Sequence, residues 1–148
     1  MTIKYTIYTL FISIFFIILS ATSADAERFS VSVPIANIRS GPGTSHKVLW
    51  NVEKYHPVEI IKKQGEWCQF EDFEHDKGWV LNSLIDKTPS VITIKNQCNV
   101  RSGPGSGYAV VFTVERAVPF KVLDKKGNWI QIEHADGDKG WIHASLVW

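Results

Sequence analysis

The chain has 148 residues, with 16 basic and 15 acidic side chains and a formal net charge of +1. Nucleic-acid binders normally carry a basic stripe, and neither half of this sequence concentrates one sign of charge. The composition therefore argues against nucleic acid as a partner. A chain of this length would ordinarily form a single domain.

The first 26 residues have the pattern of a secretory signal peptide. Lys4 supplies positive charge, Ile7–Leu19 is almost entirely apolar, and Ala24-Asp25-Ala26 places small residues where a signal peptidase cleaves. The apolar run is short for a membrane span. We therefore expect export across the inner membrane, a periplasmic or extracellular mature chain from Glu27, and no stable membrane span after cleavage. An uncleaved N-terminal anchor is the alternative.

A seven-residue stretch, Asn-(Ile/Val)-Arg-Ser-Gly-Pro-Gly, occurs twice and divides the rest of the chain. It occupies Asn37–Gly43 and recurs 62 positions later as Asn99–Gly105, and the 50 residues from each asparagine onward are identical at 21 positions. Such a repeat indicates a duplicated module of about sixty residues, near the lower limit for an independent core. We predict one unit at 27–86, a linker at 87–90 and a second unit at 91–148.

Each unit reads as a series of short strands separated by glycine and proline turns. A tight turn is expected at Gln64-Gly65, and no helical period of apolar residues persists for ten positions. The pattern predicts an all-β fold of two small barrels in tandem. In the first unit the predicted strands are Phe29–Val33, Val48–Val52, Val58–Lys63, Trp67–Glu71 and Gly78–Val80, followed by one helical turn at Asn82–Leu84.

The fourth of these strands indicates which side chains face outward. Alternation places Cys68 and Phe70 on the core side and Trp67, Gln69 and Glu71 on the opposite side. The three outward residues recur unchanged in the second copy, whereas the two inward ones become isoleucines. An outward tryptophan kept in both copies is a candidate for contacting a ligand.

Cys68 and Cys98 are the only cysteines. Export makes a disulfide chemically possible, but the two residues align with Ile130 and Ala36 of the other copy. Each cysteine thus takes the place of an apolar residue. We expect two buried thiols rather than a disulfide.

With these features together, each copy resembles the bacterial SH3 domain. The motifs are Asn37–Gly43, Gly65-Glu66-Trp67, Gly78-Trp79-Val80 and Leu84, then Asn99–Gly105, Gly127-Asn128-Trp129, Gly140-Trp141-Ile142 and Leu146. The resemblance implies SH3-like barrels exported to the cell envelope. Members of this family often bind peptidoglycan or its peptide stems, commonly as targeting parts of wall hydrolases. This sequence departs from that arrangement because no hydrolase sequence accompanies the two modules. It also lacks the acidic and aromatic run of the eukaryotic proline-peptide binders, so that specificity is not carried over.

Catalytic chemistry finds little support. No histidine is retained between the copies, none has metal-ligand spacing, and each is expected at the surface. A nucleophilic Cys68 would lie on a core face, and the repeated carboxylates Glu71 and Asp76 are explained as strand-edge and turn residues. We predict no catalytic residue, no metal, no cofactor and no enzymatic activity. The histidines are His46, His56, His75, His134 and His143.

The candidate ligand-binding residues are those that the duplication retains in the turn and on the outward strand. Each has a structural alternative. For the turn, the alternative is that it only shapes a long loop. For the arginine, it is that the side chain anchors this loop, through backbone carbonyls or through a glutamate such as Glu53, Glu71 or their repeats. For the tryptophan, it is that the ring covers the barrel. Trp79 and Trp141 are expected in barrel packing. The candidates are Arg39, Ser40, Gly41, Pro42 and Trp67 in the first copy and Arg101, Ser102, Gly103, Pro104 and Trp129 in the second.

The sequence therefore predicts a non-catalytic binding module of the bacterial envelope that recognises peptidoglycan or its peptide stems. Two weak sites on a short linker would gain avidity on a repetitive wall. The alternative is an adaptor that holds an envelope protein, through an exposed strand edge, without affinity for wall polymer. The oligomeric state stays open.

Overall fold

A computed structural model describes residues 26–148, and the predicted signal peptide, apart from its last residue, lies outside them. The described chain consists of thirteen strands and two single turns of 3-10 helix, at Asn82–Leu84 and Ala144–Leu146. The first unit contains β1 (Glu27–Val31), β2 (Ile35–Arg39), β3 (Val48–Glu53), β4 (Pro57–Gln64), β5 (Trp67–Glu71), β6 (Lys77–Leu81) and β7 (Ile85–Asp86). The second contains β8 (Ser90–Ile92), β9 (Cys98–Arg101), β10 (Val110–Val114), β11 (Pro119–Lys126), β12 (Trp129–Glu133) and β13 (Lys139–His143).

The strands form two antiparallel sheets of the same topology, which confirms the predicted all-β fold with two repeats. The order is β3-β2-β6-β5-β4-β1-β7 in the first, called barrel 1 below, and β10-β9-β13-β12-β11-β8 in the second, called barrel 2. A bridge between Thr93 and Val147 stands in barrel 2 where β1 pairs with β7 in barrel 1. Register shifts recur between β4 and β5 and between β11 and β12. Such bulges bend a sheet, which helps each one to wrap around its core.

Each barrel encloses its own apolar core. In barrel 1 the alternation of β5 is as predicted, with Cys68 and Phe70 buried and Trp67, Gln69 and Glu71 half-buried on the other face. The remaining core members are contributed by β1, β2, β3, β4, β6 and β7. β12 repeats the pattern in barrel 2, with Ile130 and Ile132 inward. Two separate cores are what a duplicated module of this size requires.

The turn between the long strands also follows the prediction. Gln64 pairs with Trp67 across a two-residue turn, and Gly65 there has a φ of 58°. Its repeat, Gly127, has a φ of 57°. Such left-handed backbone favours glycine, so the residue is retained for the turn itself.

The two barrels contact each other. The ring of Trp148 at the end of barrel 2 lies beneath the guanidinium of Arg28 from barrel 1, 3.8 Å from Cζ to the ring centroid. Phe73 of barrel 1 lies 6.5 Å from Trp148, centroid to centroid, and the guanidinium of Arg116 sits 5.1 Å from the Phe73 centroid. Arg116 also forms an ion pair with Glu74. These cation–π and aromatic contacts hold the barrels side by side.

The segment between the barrels is short and bonded to both. β7 ends at Asp86 and β8 begins at Ser90. The hydroxyl of Ser30 donates to the Thr88 carbonyl at 2.8 Å, and the Val122 amide donates to the Pro89 carbonyl at 2.8 Å. The connection therefore joins both sheets rather than hanging free.

Candidate ligand-binding face

The repeated Ser-Gly-Pro-Gly turns form closed loops that each enfold an aromatic ring. A Cβ atom on Gly41 would stand 2.5 Å from the ring of His46, and one on Gly103 would stand 2.4 Å from the ring of Tyr108. Only glycine permits so close an approach. The loop needs its glycines for its own packing, whatever else it contacts.

The arginine before each turn bonds to the loop that follows it. Arg39 Nη1 donates to the carbonyls of Thr44 and His46 at 3.0 and 2.8 Å, and Arg101 Nη1 donates to the Tyr108 carbonyl at 2.8 Å. Of the two anchoring modes considered, the structure contains backbone hydrogen bonds. Glu71 of β5 does not pair with Arg39, because it forms ion pairs with His75 and Lys77 instead.

The outer face of barrel 2 brings Arg101 and Trp129 together in one groove. The groove has a volume of about 380 Å³. His143 lies opposite Trp129 on the neighbouring strand, with ring centroids 5.3 Å apart and planes at 84°. Leu146 completes an apolar end beside these rings. The polar lining consists of Gln97, Asn99, Arg101, Ser106 and His143.

This groove separates the predicted residues into two groups. Trp129 is half-buried and Arg101 is partly exposed, so both present surface to the groove. Ser102, Gly103 and Pro104 are not part of its lining. A direct ligand contact of the turn residues stays a prediction, as does that of Ser40, Gly41 and Pro42 in barrel 1.

Barrel 1 has a different surface at the corresponding positions. Arg39, Asn37 and Trp67 are retained, but Gln97 is replaced by Ile35 and His143 by Leu81. Ile35 is 63% exposed, the largest exposure among the big apolar side chains of residues 26–148. The face of barrel 1 is therefore more apolar than that of barrel 2, and a shared ligand would meet fewer hydrogen-bonding groups there.

The other repeated tryptophans are packed. Trp79 and Trp141 are each 8% exposed. Each lies on the outer side of its sheet, directly opposite the arginine of the neighbouring strand. Lys62 and Lys126 stand 6.0 and 5.7 Å from their ring centroids. The expectation that they serve barrel packing agrees with this burial.

The prediction that every histidine lies at the surface is wrong for His56. This residue is 8% exposed, its Nε2 atom has no hydrogen-bond partner, and Asp72 Oδ2 is 3.8 Å away. It is buried because it packs at the edge of barrel 1, with its ring 6.2 Å from that of Phe73. The repeat contains a clue, since the aligned residue is the apolar Val118.

The environments of the two thiols and of the repeated carboxylate Glu71 are those of structural rather than catalytic groups. Burial raises the pKa of both Cys68 and Cys98, which are free and buried, so the nucleophilic thiolate is disfavoured. The hydrogen bond from His75 holds the pKa of Glu71 below its ordinary value, which keeps that group ionised rather than poised to exchange a proton. Among residues 26–148, no group of three or more His, Cys, Asp or Glu side chains is placed to hold a metal ion.

A second concave surface, which sequence reasoning missed, lies between the barrels. It has a volume of about 490 Å³ and is lined by residues 50–53, 56, 72–74 and 76 of barrel 1 and residues 117–119 of barrel 2. We call it the inter-barrel cleft. Most of its lining differs between the copies, so a search for repeated residues passes over it.

Comparison with known proteins agrees with the fold. The family model described as "Bacterial SH3 domain" matches residues 32–87 and again residues 95–148. The chain belongs to the bacterial SH3 domain family. Its two SH3 domains correspond to barrel 1 and barrel 2, and the matched residues account for most of the described chain.

Curated relatives with these domains are longer proteins. "Putative N-acetylmuramoyl-L-alanine amidase YrvJ" of Bacillus subtilis (strain 168) is 30% identical over 139 residues, which cover 86% of this chain and 26% of the relative. "Probable cell wall amidase LytH" of Staphylococcus epidermidis is 38% identical over 68 residues, 43% of this chain and 23% of the relative. The chain spans about a quarter of the length of these relatives, and the matches lie in its SH3 part.

Solved structures give a weaker likeness. An NlpC/P60 family protein from Bacillus cereus ATCC 10987 has a TM-score of 0.39 and 10% identity, covering 82% of this chain and 56% of that one. NlpC1 from Trichomonas vaginalis has a TM-score of 0.37 and 14% identity, covering 88% and 49%. These values carry no argument about function. Within the described residues, no helix is both long and apolar enough to cross a membrane.

Proposed function

We propose that this protein is a non-catalytic binding module of the bacterial cell envelope that recognises peptidoglycan or its peptide stems. The observation that carries the proposal is the groove of barrel 2, where a half-buried tryptophan faces an arginine and a histidine. A rigid aromatic ring offers contact area at low entropic cost. Arginine and amide side chains add hydrogen bonds to the hydroxyl, amide and carboxylate groups that wall polymer presents.

The relatives support the same setting. Both curated relatives described above are named as amidases, one of them of the cell wall, and their similarity to this chain lies in its SH3 domains. A domain shared among such proteins is suited to attachment rather than to the reaction itself. We accordingly place the protein outside the inner membrane, in the periplasm or at the cell surface, and without enzymatic activity.

Sedimentation with purified, protein-free sacculi tests the proposal. Residues 27–148, which contain both barrels and both cores, should sediment with sacculi and stay in solution without them. Trp129→Ala should weaken binding about tenfold or more, as loss of a central aromatic contact does. Trp67→Ala should have a smaller effect because the face of barrel 1 offers fewer polar groups. Leu49→Ala, which removes an exposed apolar side chain on strand β3, is the control and should bind as wild type.

The second candidate is an adaptor for an envelope protein. It rests on the exposed apolar side chains of the outermost strands, Val48 and Leu49 in β3 and Val110 and Val111 in β10. An edge strand can add a strand from a partner. If no sedimentation occurs at low salt and high protein concentration, the wall-binding proposal is wrong and the adaptor is the remaining candidate.

A further inference from the structure

The inter-barrel cleft is rich in carboxylates. Glu53, Asp72, Glu74 and Asp76 line it, and His56 is the single lining residue able to carry positive charge. Glu74 is already paired with Arg116, whereas Glu53 and Asp76 form no ion pair within residues 26–148. Their side chains are exposed to the cleft and to solvent. Two uncompensated carboxylates at the edge of one cavity favour a positively charged group.

His56 lines the same cavity and has a ring nitrogen without a hydrogen-bond partner. Its buried Nε2 lacks a hydrogen-bond partner, and Asp72 Oδ2 at 3.8 Å is beyond hydrogen-bond distance. A buried polar atom left unpaired costs about 1–3 kcal/mol. Asp72 uses its other oxygen, Oδ1, to accept the amides of Glu74 and Asp76 at 2.9 and 3.1 Å. The cleft thus contains a nitrogen and an oxygen that the protein itself does not satisfy.

An ammonium group suits this part of the cleft. It carries three donors and no acceptor, so it can donate to Asp72 Oδ2, beside which the unpaired Nε2 of His56 is buried. Trp50 and Phe73 add aromatic rings to the lining, and rings attract cations. Val118 and Pro119 give the opposite wall an apolar surface suited to a short aliphatic chain.

Barrel 2 contains the corresponding pocket, and the comparison shows what is particular to the cleft. That pocket is smaller, about 230 Å³, and is lined by the repeats of the same strand and turn positions. There His134 replaces Asp72, and its Nδ1 lies 2.9 Å from Asp136 Oδ1. Ala135 replaces Phe73, which removes the aromatic ring. The pocket of barrel 2 therefore places a ring nitrogen within hydrogen-bond distance of its own carboxylate, and its lining comes from barrel 2 alone.

We propose that the inter-barrel cleft binds the protonated amine of the diamino acid in a peptidoglycan peptide stem. This proposal rests on the proposed wall-binding function and names a second contact for the same polymer, apart from the groove of barrel 2. The amine enters between Glu53 and Asp76, approaches Asp72 and His56, and lays its aliphatic chain along Val118 and Pro119. Binding here requires both barrels because each supplies one wall.

The test uses two synthetic peptides that differ only in charge. Nα-acetyl-Ala-γ-D-Glu-Lys and its Nε-acetylated form are titrated into ¹⁵N-labelled residues 27–148, and amide shifts are followed. The lysine peptide should perturb the amides around His56, Phe73 and Val118. Acetylation of the amine removes the charge and should weaken binding about tenfold or more, the loss expected for a charged hydrogen bond.

Matched variants assign the effect to the cleft. Glu53→Gln combined with Asp76→Asn should weaken lysine-peptide binding about tenfold or more. The control, Glu115→Gln with Asp138→Asn, changes the aligned residues of barrel 2 and should leave binding within about twofold. All four changes are isosteric and at exposed positions, and well-dispersed amide spectra will establish that each variant is folded.

The outcomes separate this proposal from the wall-binding function. If wild-type protein sediments with sacculi but binds both peptides equally, or if the barrel 1 variant binds as wild type, the amine site is refuted and the wall-binding function stands. If sacculi do not sediment the protein at all, the function itself fails. Equal loss in both double variants would also overturn the assignment to the cleft.

Discussion

The two barrels have the same fold, but each contacts the other through a different part of its surface. The residues that join them are Arg28, Phe73 and Glu74 from barrel 1 and Arg116 and Trp148 from barrel 2. None of these is repeated: the aligned residues are Ser90, Ala135, Asp136, Lys54 and Asp86. In a head-to-tail pair each unit uses a different patch, so identical residues at these positions would serve no common contact. The residues that join the barrels are therefore among those that differ between the copies.

Their cores differ in a second, compensating way. Phe70 on β5 fills the core of barrel 1 together with the smaller Val58 on β4. In barrel 2 the phenylalanine is on the other strand, because Phe120 lies on β11 and Ile132 on β12. All four side chains are fully buried. Each core thus contains one phenylalanine and one β-branched residue at this pair of positions. Cores tolerate exchange of this kind when total volume is kept.

The largest effect we expect is from deleting the phenylalanine of barrel 1. Phe70→Ala should lower the free energy of unfolding by about 3–5 kcal/mol, because the fully buried ring leaves a cavity. Urea unfolding followed by tryptophan fluorescence measures the change. For a unit of about sixty residues this is enough to populate the unfolded state of barrel 1.

The comparison of cores supplies the control. Phe70→Ile should destabilise barrel 1, and adding Val58→Phe should restore most of the loss, since the pair then copies Phe120 and Ile132 of barrel 2. Val58→Phe alone should cost about 1–3 kcal/mol through overpacking. If the double variant is as unstable as the sum of the two single variants, the cores are not interchangeable.

A smaller effect is expected at the interface. Arg116→Ala removes the cation over the Phe73 ring and the ion pair with Glu74, which should cost about 0.5–1 kcal/mol because the side chain is partly exposed. Lys54→Ala changes the aligned residue of barrel 1 and should alter stability by less than about 0.5 kcal/mol. The same urea titration measures both.

The amide spectrum gives a second reading of the interface. Arg116→Ala should shift the resonances of Phe73 and Trp148, whereas Lys54→Ala should leave them in place. Equal losses of stability in the two variants, with unchanged Phe73 and Trp148 resonances, would show that these contacts do not join the barrels.

The sequence anticipates whatever the duplication repeats. The strand alternation at Trp67–Glu71, the glycine turns and the all-β repeat are all read correctly, because local pattern and burial determine them. The sequence leaves two partners open for Arg39 and Arg101, backbone carbonyls or a glutamate, and only the structure distinguishes them. The motif glycines of the loop are explained by the rings of His46 and Tyr108, which are not themselves repeated.

What the sequence could not supply arises from the pairing of the barrels. His56 is taken for a surface residue because its own stretch of sequence does not show that it packs at the edge of barrel 1 beside Phe73. The inter-barrel cleft depends on how two units are oriented, and that orientation is set by single residues far apart in the chain. The one clue comes from the other copy, where the aligned residue Val118 is apolar.

The smallest effect we expect is a difference between the barrels in acid. Burial alone would raise the pKa of Asp72, but the interaction with His56 and the amides of Glu74 and Asp76 outweigh it and lower the pKa in the folded state. A carboxyl whose pKa is depressed on folding stabilises the protein above its unfolded pKa of about 3.9, and that contribution is lost as the pH falls through the folded pKa. Asp72→Asn should therefore reduce the loss of stability between about pH 5 and pH 3, while the Oδ1 of the new amide still accepts the turn amides.

Asp136→Asn in barrel 2 is the matched variant. The pKa of Asp136 is lowered first by the Asp138 amide and then by His134, but this carboxyl is exposed and screened by salt. Urea unfolding at several pH values, at low salt and in 1 M NaCl, measures both slopes. If Asp72→Asn keeps the full acid dependence of the wild type, the turn of barrel 1 is not the origin of the difference.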